Sequence, residues 1–373
     1  MHSSAKEVFM DNNEPIYFTR GNPATSALPI EDFRMCADAI IQKEGKVLFQ
    51  YGHYSGYGPL RQWIADWFEV EYEQVLMGNS SMEFLTFFAF LLLEKGDTVF
   101  LENPSYDRAI TAMKRAGANV VGIPLEPDGI NLDAFEAALQ VSVPKLFYIV
   151  PDFQNPTGVT TALAKRNRIA ELSREYEFLV VEDAPYRFLR YQGEDPPTFL
   201  ELVPEKTLHI SSFSKIMSPG VRVGFLIGPN DVMPKLHKWS EDTYIHPALV
   251  TEGIVYEYCR RGLLEPNIEA LKSLYAPRME CMLQMLDRKL QGVDFIRPEG
   301  GFFLSLNLPE EINGRALQLN ADDFGIVLSD GSGFFTDGKG DNFVRLPFCG
   351  ISPEEIEKGV SRLAKALDYH RRG

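Results

Sequence analysis

The sequence predicts an α/β fold built on a mostly parallel sheet, and three observations predict it. Short apolar runs recur between about residues 75 and 230. Most are β-branched or aromatic and lack polar alternation, the pattern of strands covered on both faces. Amphipathic segments of crossover length separate several of them, which is the rhythm of strand, helix, strand.

In chain order the expected strands are 75–77, 98–101, 120–123, 146–150, 178–181, 207–210 and 223–227, with a crossover helix over 163–176. The ends differ from this middle. A loop rich in Gly and Pro (20–29) leads into a helical pattern at 30–43. Beyond about residue 265 come a long helical pattern (267–290), a glycine corner at Gly300 and Gly301, short strands, and a closing helix at 353–369. The expected division is therefore 1–45 as an N-terminal arm and part of a smaller α+β domain, 46–264 as the large domain, and 265–373 as the C-terminal small domain.

Composition narrows the function. A chain of 373 residues, 45% hydrophobic and 24% charged, fits two domains and can bury a large core without disulfides or a structural metal. With 37 basic and 52 acidic side chains the net charge is −15, so nucleic acid and anionic membranes are not expected partners. The four cysteines (Cys36, Cys259, Cys281, Cys349) form no CxxC pair, which fits a reducing compartment. Residues 1–13 are polar and mixed in charge, unlike a signal peptide. The most apolar run, 84–93, is flanked by Glu83 and Glu94 and falls well short of the roughly 20 residues a membrane span needs. A soluble, cytoplasmic protein is expected. Six scattered histidines suggest no metal site, and His246 reads as a structural loop residue.

Ligands of open α/β sheets bind beyond the carboxyl ends of the strands. Here those ends carry Ser80 and Ser81, then Tyr106, then Asn155, then Asp183 and Tyr186, then Ser212, Ser214 and Lys215, with Arg222 just before the last strand. Singly, each has a structural explanation: serines cap helices, Asn-Pro-Thr-Gly makes turns, and a lysine in a serine-rich turn is usually solvated. Their shared edge is what points to a ligand. Hydroxyls, helix starts and an arginine suit a phosphate, and a lysine can form a Schiff base with an aldehyde. A carboxylate can keep a ring nitrogen protonated, while an amide and a phenol bond a ring oxygen and a second aromatic stacks on the ring. Together these requirements describe pyridoxal 5′-phosphate.

The stretches PDFQNPTG (151–158), EDAPYR (182–187), SSFSK (211–215), PGVRVGF (219–225) and FVRLPF (343–348) carry a wider likeness. From about Tyr17 to the C-terminus the chain resembles the fold-type I, class I/II aminotransferases, most of all the kynurenine/2-aminoadipate aminotransferases and the aminotransferase-like domains of MocR-type regulators. The resemblance implies a ping-pong aminotransferase that moves an amino group from an L-amino acid to a 2-oxo acid. Lys215 would carry the cofactor as an aldimine and shuttle the Cα proton, and Asp183 would pair with the pyridinium nitrogen. Asn155 and Tyr186 would bond the ring oxygen, and Tyr106 would stack on the ring. Ser80, Ser81, Ser212, Ser214 and Arg222 would hold the phosphate. Tyr51 would reach the phosphate of the neighbouring subunit, which implies a homodimer. Arg345 would clamp the substrate α-carboxylate with its planar fork, and Gly21 would lie on the substrate side.

Three departures from the family pattern stand out. Asn79-Ser80-Ser81-Met82 stands where relatives more often carry Gly-Ser-Gln-Gln. Arg20 puts a guanidinium where relatives have little side chain, which suggests a carboxylate-bearing substrate side chain; a loop salt bridge is the alternative. Residues 329–334 replace a proline-containing turn. Two other functions share the residues: a C–S lyase or amine oxidase using the same cofactor, and a MocR-like regulatory module, against which the short segment ahead of Tyr17 and the acidic charge weigh.

Overall fold

The computed structural model describes residues 14–372, so the opening segment read for a targeting signal lies outside them. In chain order the strands are β1 (Ile16–Phe18), β2 (Val75–Gly78), β3 (Thr98–Asn103), β4 (Asn119–Glu126), β5 (Gly129–Ile130), β6 (Leu146–Ile149), β7 (Leu179–Asp183), β8 (Thr207–Ser212), β9 (Gly224–Ile227), β10 (Asp294–Phe295), β11 (Phe303–Asn307), β12 (Ile326–Leu328) and β13 (Phe343–Pro347). Eight of them form one sheet in the order β2-β9-β8-β7-β6-β3-β4-β5. β8, β7, β6, β3 and β4 run parallel, whereas β9 is antiparallel to both neighbours and β5 folds back on β4. β2, β6 and β9 are buried at every residue, as uninterrupted apolar runs require, and β8 is buried throughout although it carries Thr207, His209, Ser211 and Ser212.

Chain order reverses between β3 and β6. β4 adds to one side of β3, and the chain then crosses to β6 and continues through β7 and β8 on the other. Loops leaving neighbouring strand ends at such a reversal diverge and leave a crevice. The crossover Leu163–Glu175 turns Ile169, Ala170 and Leu172 into a core shared with Phe147 and Val180. The apolar run 84–93 is the helix Ser81–Phe87 continued by a π-turn, Phe88–Leu92, with Phe84, Leu85, Phe87 and Phe88 buried. Among the described residues no helix is long and apolar enough to cross a membrane.

The helix Ile30–Leu48 continues past the pattern at 30–43 and through Gly45, a poor helix former. Tertiary packing carries it: Leu48 lies so close to Gly253 of the helix Leu249–Arg260 that a Cβ there would stand 2.8 Å from Leu48 Cδ2. A second core gathers Phe18, Met282, Leu304, Leu346 and Val360. Around it lie the antiparallel sheet β10-β11-β13, the parallel pair β1-β12, and the helices Leu264–Lys289 and Pro353–Arg372.

Candidate active site

The carboxyl ends of the parallel strands open into a cavity of about 370 Å³. After β2, Ser80 adopts φ 152°, a region that suits glycine, and Ser81 starts the helix Ser81–Phe87. Gly224 on β9 makes room for this turn, because a Cβ there would lie 2.6 Å from the Ser80 carbonyl carbon and the Ser81 nitrogen. Ser212 ends β8 and Ser214 follows it, while Arg222 holds φ 52° just before β9. All five side chains line the cavity.

Asp183 ends β7 and is buried. Its Oδ2 accepts from the Tyr148 hydroxyl at 2.8 Å, whereas Oδ1 is buried without a partner. Burial pushes this carboxyl up to about 6 against the opposing pull of the Tyr148 hydrogen bond. Lys215 Nζ donates to the Gly21 carbonyl at 3.1 Å and lies 5.9 Å from the centre of the Tyr186 ring. Burial lowers the pKa of its ammonium, with Arg345 and Arg222 adding to the effect. Gly21 permits that contact, since any Cβ would run into the Phe303 ring. Tyr106 also lines the cavity, its phenol pushed up to about 12 by burial.

Arg345 comes from the other core, on β13 opposite Ser305 of β11. Its Nη1 donates to Asn155 Oδ1 at 2.9 Å, and its Nη2 donates to the Thr19 carbonyl. The guanidinium sits between the rings of Phe303 and Phe334, at 4.6 and 4.7 Å, and its Nε is buried without a partner. Phe334 belongs to the unusual 329–334 segment, which Ser329 Oγ ties back to the Thr19 carbonyl at 2.9 Å.

Of the sequence-predicted residues, the fold therefore brings Ser80, Ser81, Tyr106, Asn155, Asp183, Tyr186, Ser212, Ser214, Lys215, Arg222, Arg345, Gly21 and Arg20 to one cavity. Tyr51 is apart: it is 75% exposed, packs edge-on against His246 at 5.9 Å, and does not line this cavity. Sequence reasoning missed Tyr148, Phe303 and Arg108, which line it too. Tyr148 reads as one more core aromatic in an apolar strand; only the register, Tyr148 opposite Val181, puts it on the face of Asp183.

These groups fit pyridoxal phosphate. The orphaned Asp183 Oδ1 can accept a ring N–H, a buried amine with a depressed pKa is a nucleophile for an aldehyde, and the hydroxyls with Arg222 suit a phosphate. The doubly covered sheet and this donor set at its carboxyl edge define a pyridoxal phosphate enzyme of fold type I. A family profile described as aminotransferase class I and II matches residues 15–363. A 2-aminoadipate transaminase of Thermus thermophilus is 33% identical over 98% of this chain and 94% of its own length. Two solved structures superpose closely. A multiple substrate aminotransferase from Thermococcus profundus has TM-score 0.93 and 30% identity, covering 100% of this chain and 96% of its own. LysN, an α-aminoadipate aminotransferase from Thermus thermophilus complexed with N-(5′-phosphopyridoxyl)-L-leucine, has TM-score 0.91 and 32% identity over 99% and 95%. The chain belongs to the class I and II aminotransferases and is a pyridoxal phosphate-dependent transaminase.

Proposed function

We propose that the protein exchanges an amino group between an amino acid and a 2-oxo acid in two half-reactions, with Lys215 as the group that holds the cofactor and moves the Cα proton. The observation that carries this reading is the pairing, in one cavity, of a lysine whose charged form is disfavoured with an aspartate whose Oδ1 lacks a partner. Bound pyridoxal phosphate supplies an electron-withdrawing ring that stabilises negative charge at the substrate Cα. Asp183 holds the ring-nitrogen proton at Oδ1. Tyr148 keeps that carboxylate in place through Oδ2. Asn155 and Tyr186 would bond the ring oxygen, and Tyr106 would lie against the ring. Ser80, Ser81, Ser212, Ser214 and Arg222 bind the phosphate, which reacts with nothing and serves to orient. Arg345 takes the α-carboxylate, pre-aimed by Phe303, Phe334 and the Thr19 carbonyl. Lys215 Nζ, whose charged form is disfavoured by burial, accepts the Cα proton.

The test is a half-reaction. Mixing the holoenzyme with single amino acids should convert the visible cofactor absorbance to that of the amine form. Lys215→Ala should lose the pH-dependent absorbance and nearly all turnover. A Lys215→Ala protein that still turned over at a comparable rate would overturn the assignment.

Arg20 is proposed to select a substrate with a second carboxylate. It lines the cavity and forms no ion pair among the described residues, which disfavours the loop salt bridge. The similarity to a 2-aminoadipate transaminase lends support. Arg20→Ala should raise KM for glutamate about tenfold or more while changing leucine little, the loss expected for one charged hydrogen-bonding group. Equal losses on both donors count against it.

The working form is proposed to be a homodimer in which Tyr51 reaches the neighbouring site. Exposed Ile30, Ile41, Val47, Phe49, Tyr51 and Phe90 support a shared apolar surface. We also propose 46–264 and 265–373 as the larger and smaller units, with 1–45 contributing to both: Cys36 and Ile40 join the sheet's core, and Phe18 joins the other. A reducing compartment, the cytoplasm, is proposed on the four cysteines, all free thiols.

A further inference from the structure

We infer that Glu102 is a positioning residue of this active site: it straps the loop carrying Tyr106 to the loop carrying Asn155 and so fixes where the Asn155 amide stands. Glu102 lies on β3, is fully buried, and takes no part in the chemistry proposed above. Its Oε2 accepts from the Val150 N–H at 2.9 Å, where β6 ends, and from Gln154 Nε2 at 3.3 Å. The same Gln154 nitrogen donates to the Pro104 carbonyl at 2.8 Å, in the turn that leads to Tyr106. Gln154 Oε1 accepts from Thr157 twice, from its N–H at 3.0 Å and its hydroxyl at 2.7 Å. Asn155 and Pro156 are thereby held between two anchored residues. Asn155 Oδ1 accepts from Arg345, so the turn that Glu102 and Gln154 anchor also carries the acceptor of the proposed carboxylate clamp.

A carboxyl group with no access to water costs free energy unless it is hydrogen-bonded; Oε2 is bonded, whereas Oε1 is buried without a partner. Here both donors to Glu102 belong to the turn after β6. Burial pushes the carboxyl up to about 8, with the Val150 and Gln154 bonds opposing that rise. The inference rests on the reading of Asn155 as a partner of the ring oxygen.

The experiment compares Glu102→Ala, Glu102→Gln, Gln154→Ala and Asn155→Ala. Amide exchange over residues 153–158 is measured in the cofactor-free protein. The pH midpoint of the visible absorbance is measured in the holoenzyme without substrate. Glu102→Ala and Gln154→Ala should speed exchange at 155–158 about tenfold, the loss of one net hydrogen bond, and leave β8 unchanged. Both should move the absorbance midpoint in the direction that Asn155→Ala moves it. Glu102→Gln keeps an acceptor oxygen for Val150 and Gln154 and should restore most of both signals. Wild-type exchange and midpoint in the two alanine variants overturn the proposal, as does a lowered Tm with an unmoved midpoint. If Asn155→Ala leaves the midpoint unmoved, the reading of Asn155 falls while the exchange data still judge the strap. If Glu102→Ala does not fold, Gln154→Ala decides by the same two measurements.

Discussion

Asp183 enters the folded protein as a carboxyl with one oxygen satisfied by Tyr148 and the other facing no donor. Its pKa is raised from 3.8 to about 6, so the folded state binds this proton more tightly than the unfolded chain. The associated stability is complete below about pH 4 and is lost as pH rises through about 6, on the order of 3 kcal/mol for this group. In the cofactor-free protein, Asp183→Asn should therefore raise Tm by a few degrees at pH 8 and leave it nearly unchanged at pH 4. A thermal melt at the two pH values checks the sign, and equal shifts at both would contradict it. In the holoenzyme the same substitution should retain cofactor yet slow Cα proton removal by about 100-fold or more, since it weakens the charge that holds the ring proton. Most residues of the site are legible in the sequence because each follows an apolar run with a polar or glycine-rich turn. Tyr148 and Phe303 are not, since an aromatic inside a strand looks the same whether it meets a carboxylate or a leucine.

The elements themselves decide how closely backbones approach. Gly224 is buried against the Ser80–Ser81 peptide, and a methyl group there has no room to turn away. Gly224→Ala should cost about 1–3 kcal/mol by overpacking and should push apart the turn proposed to bind phosphate. Cofactor affinity, measured by equilibrium titration of the cofactor-free variant, should fall about tenfold or more, the equivalent of roughly 1.4 kcal/mol; wild-type affinity would contradict this. A buried ion pair braces the turn after β6: Arg166 Nη2 bonds Asp152 Oδ1 at 2.7 Å and the Pro151 carbonyl at 2.9 Å. Every expected strand is present because an unbroken apolar run has few other places to go. Strand direction is another matter. β9 reads like its neighbours but runs against them, because a two-sided apolar pattern carries no polarity.

At the scale of the whole molecule, the cavity draws on segments of two cores: Arg345 lies between Val344 and Leu346 of one, while Asp183 and Lys215 adjoin Val181, Phe213 and Ile216 of the other. If the proposed dimer completes it with Tyr51, subunits can complement each other. A mixture refolded from Lys215→Ala and Tyr51→Phe chains would contain hybrids whose one lysine-bearing site also has its tyrosine. Activity above the sum of the two separate proteins is the expected result, and no gain at any mixing ratio would count against the shared site.

The linear chain determined which stretches become strands and which chemical groups stand at their ends, since burial on both faces and turn composition are local properties. It also specified the phosphate, amine and carboxylate chemistry, because those residue types fall directly after the apolar runs. Only the tertiary structure decided the antiparallel course of β9, the partner of Asp183 Oδ2, the aromatic sandwich around Arg345 and the buried strap from Glu102. Each of these depends on register or packing between segments far apart in sequence, where spacing along the chain holds no information.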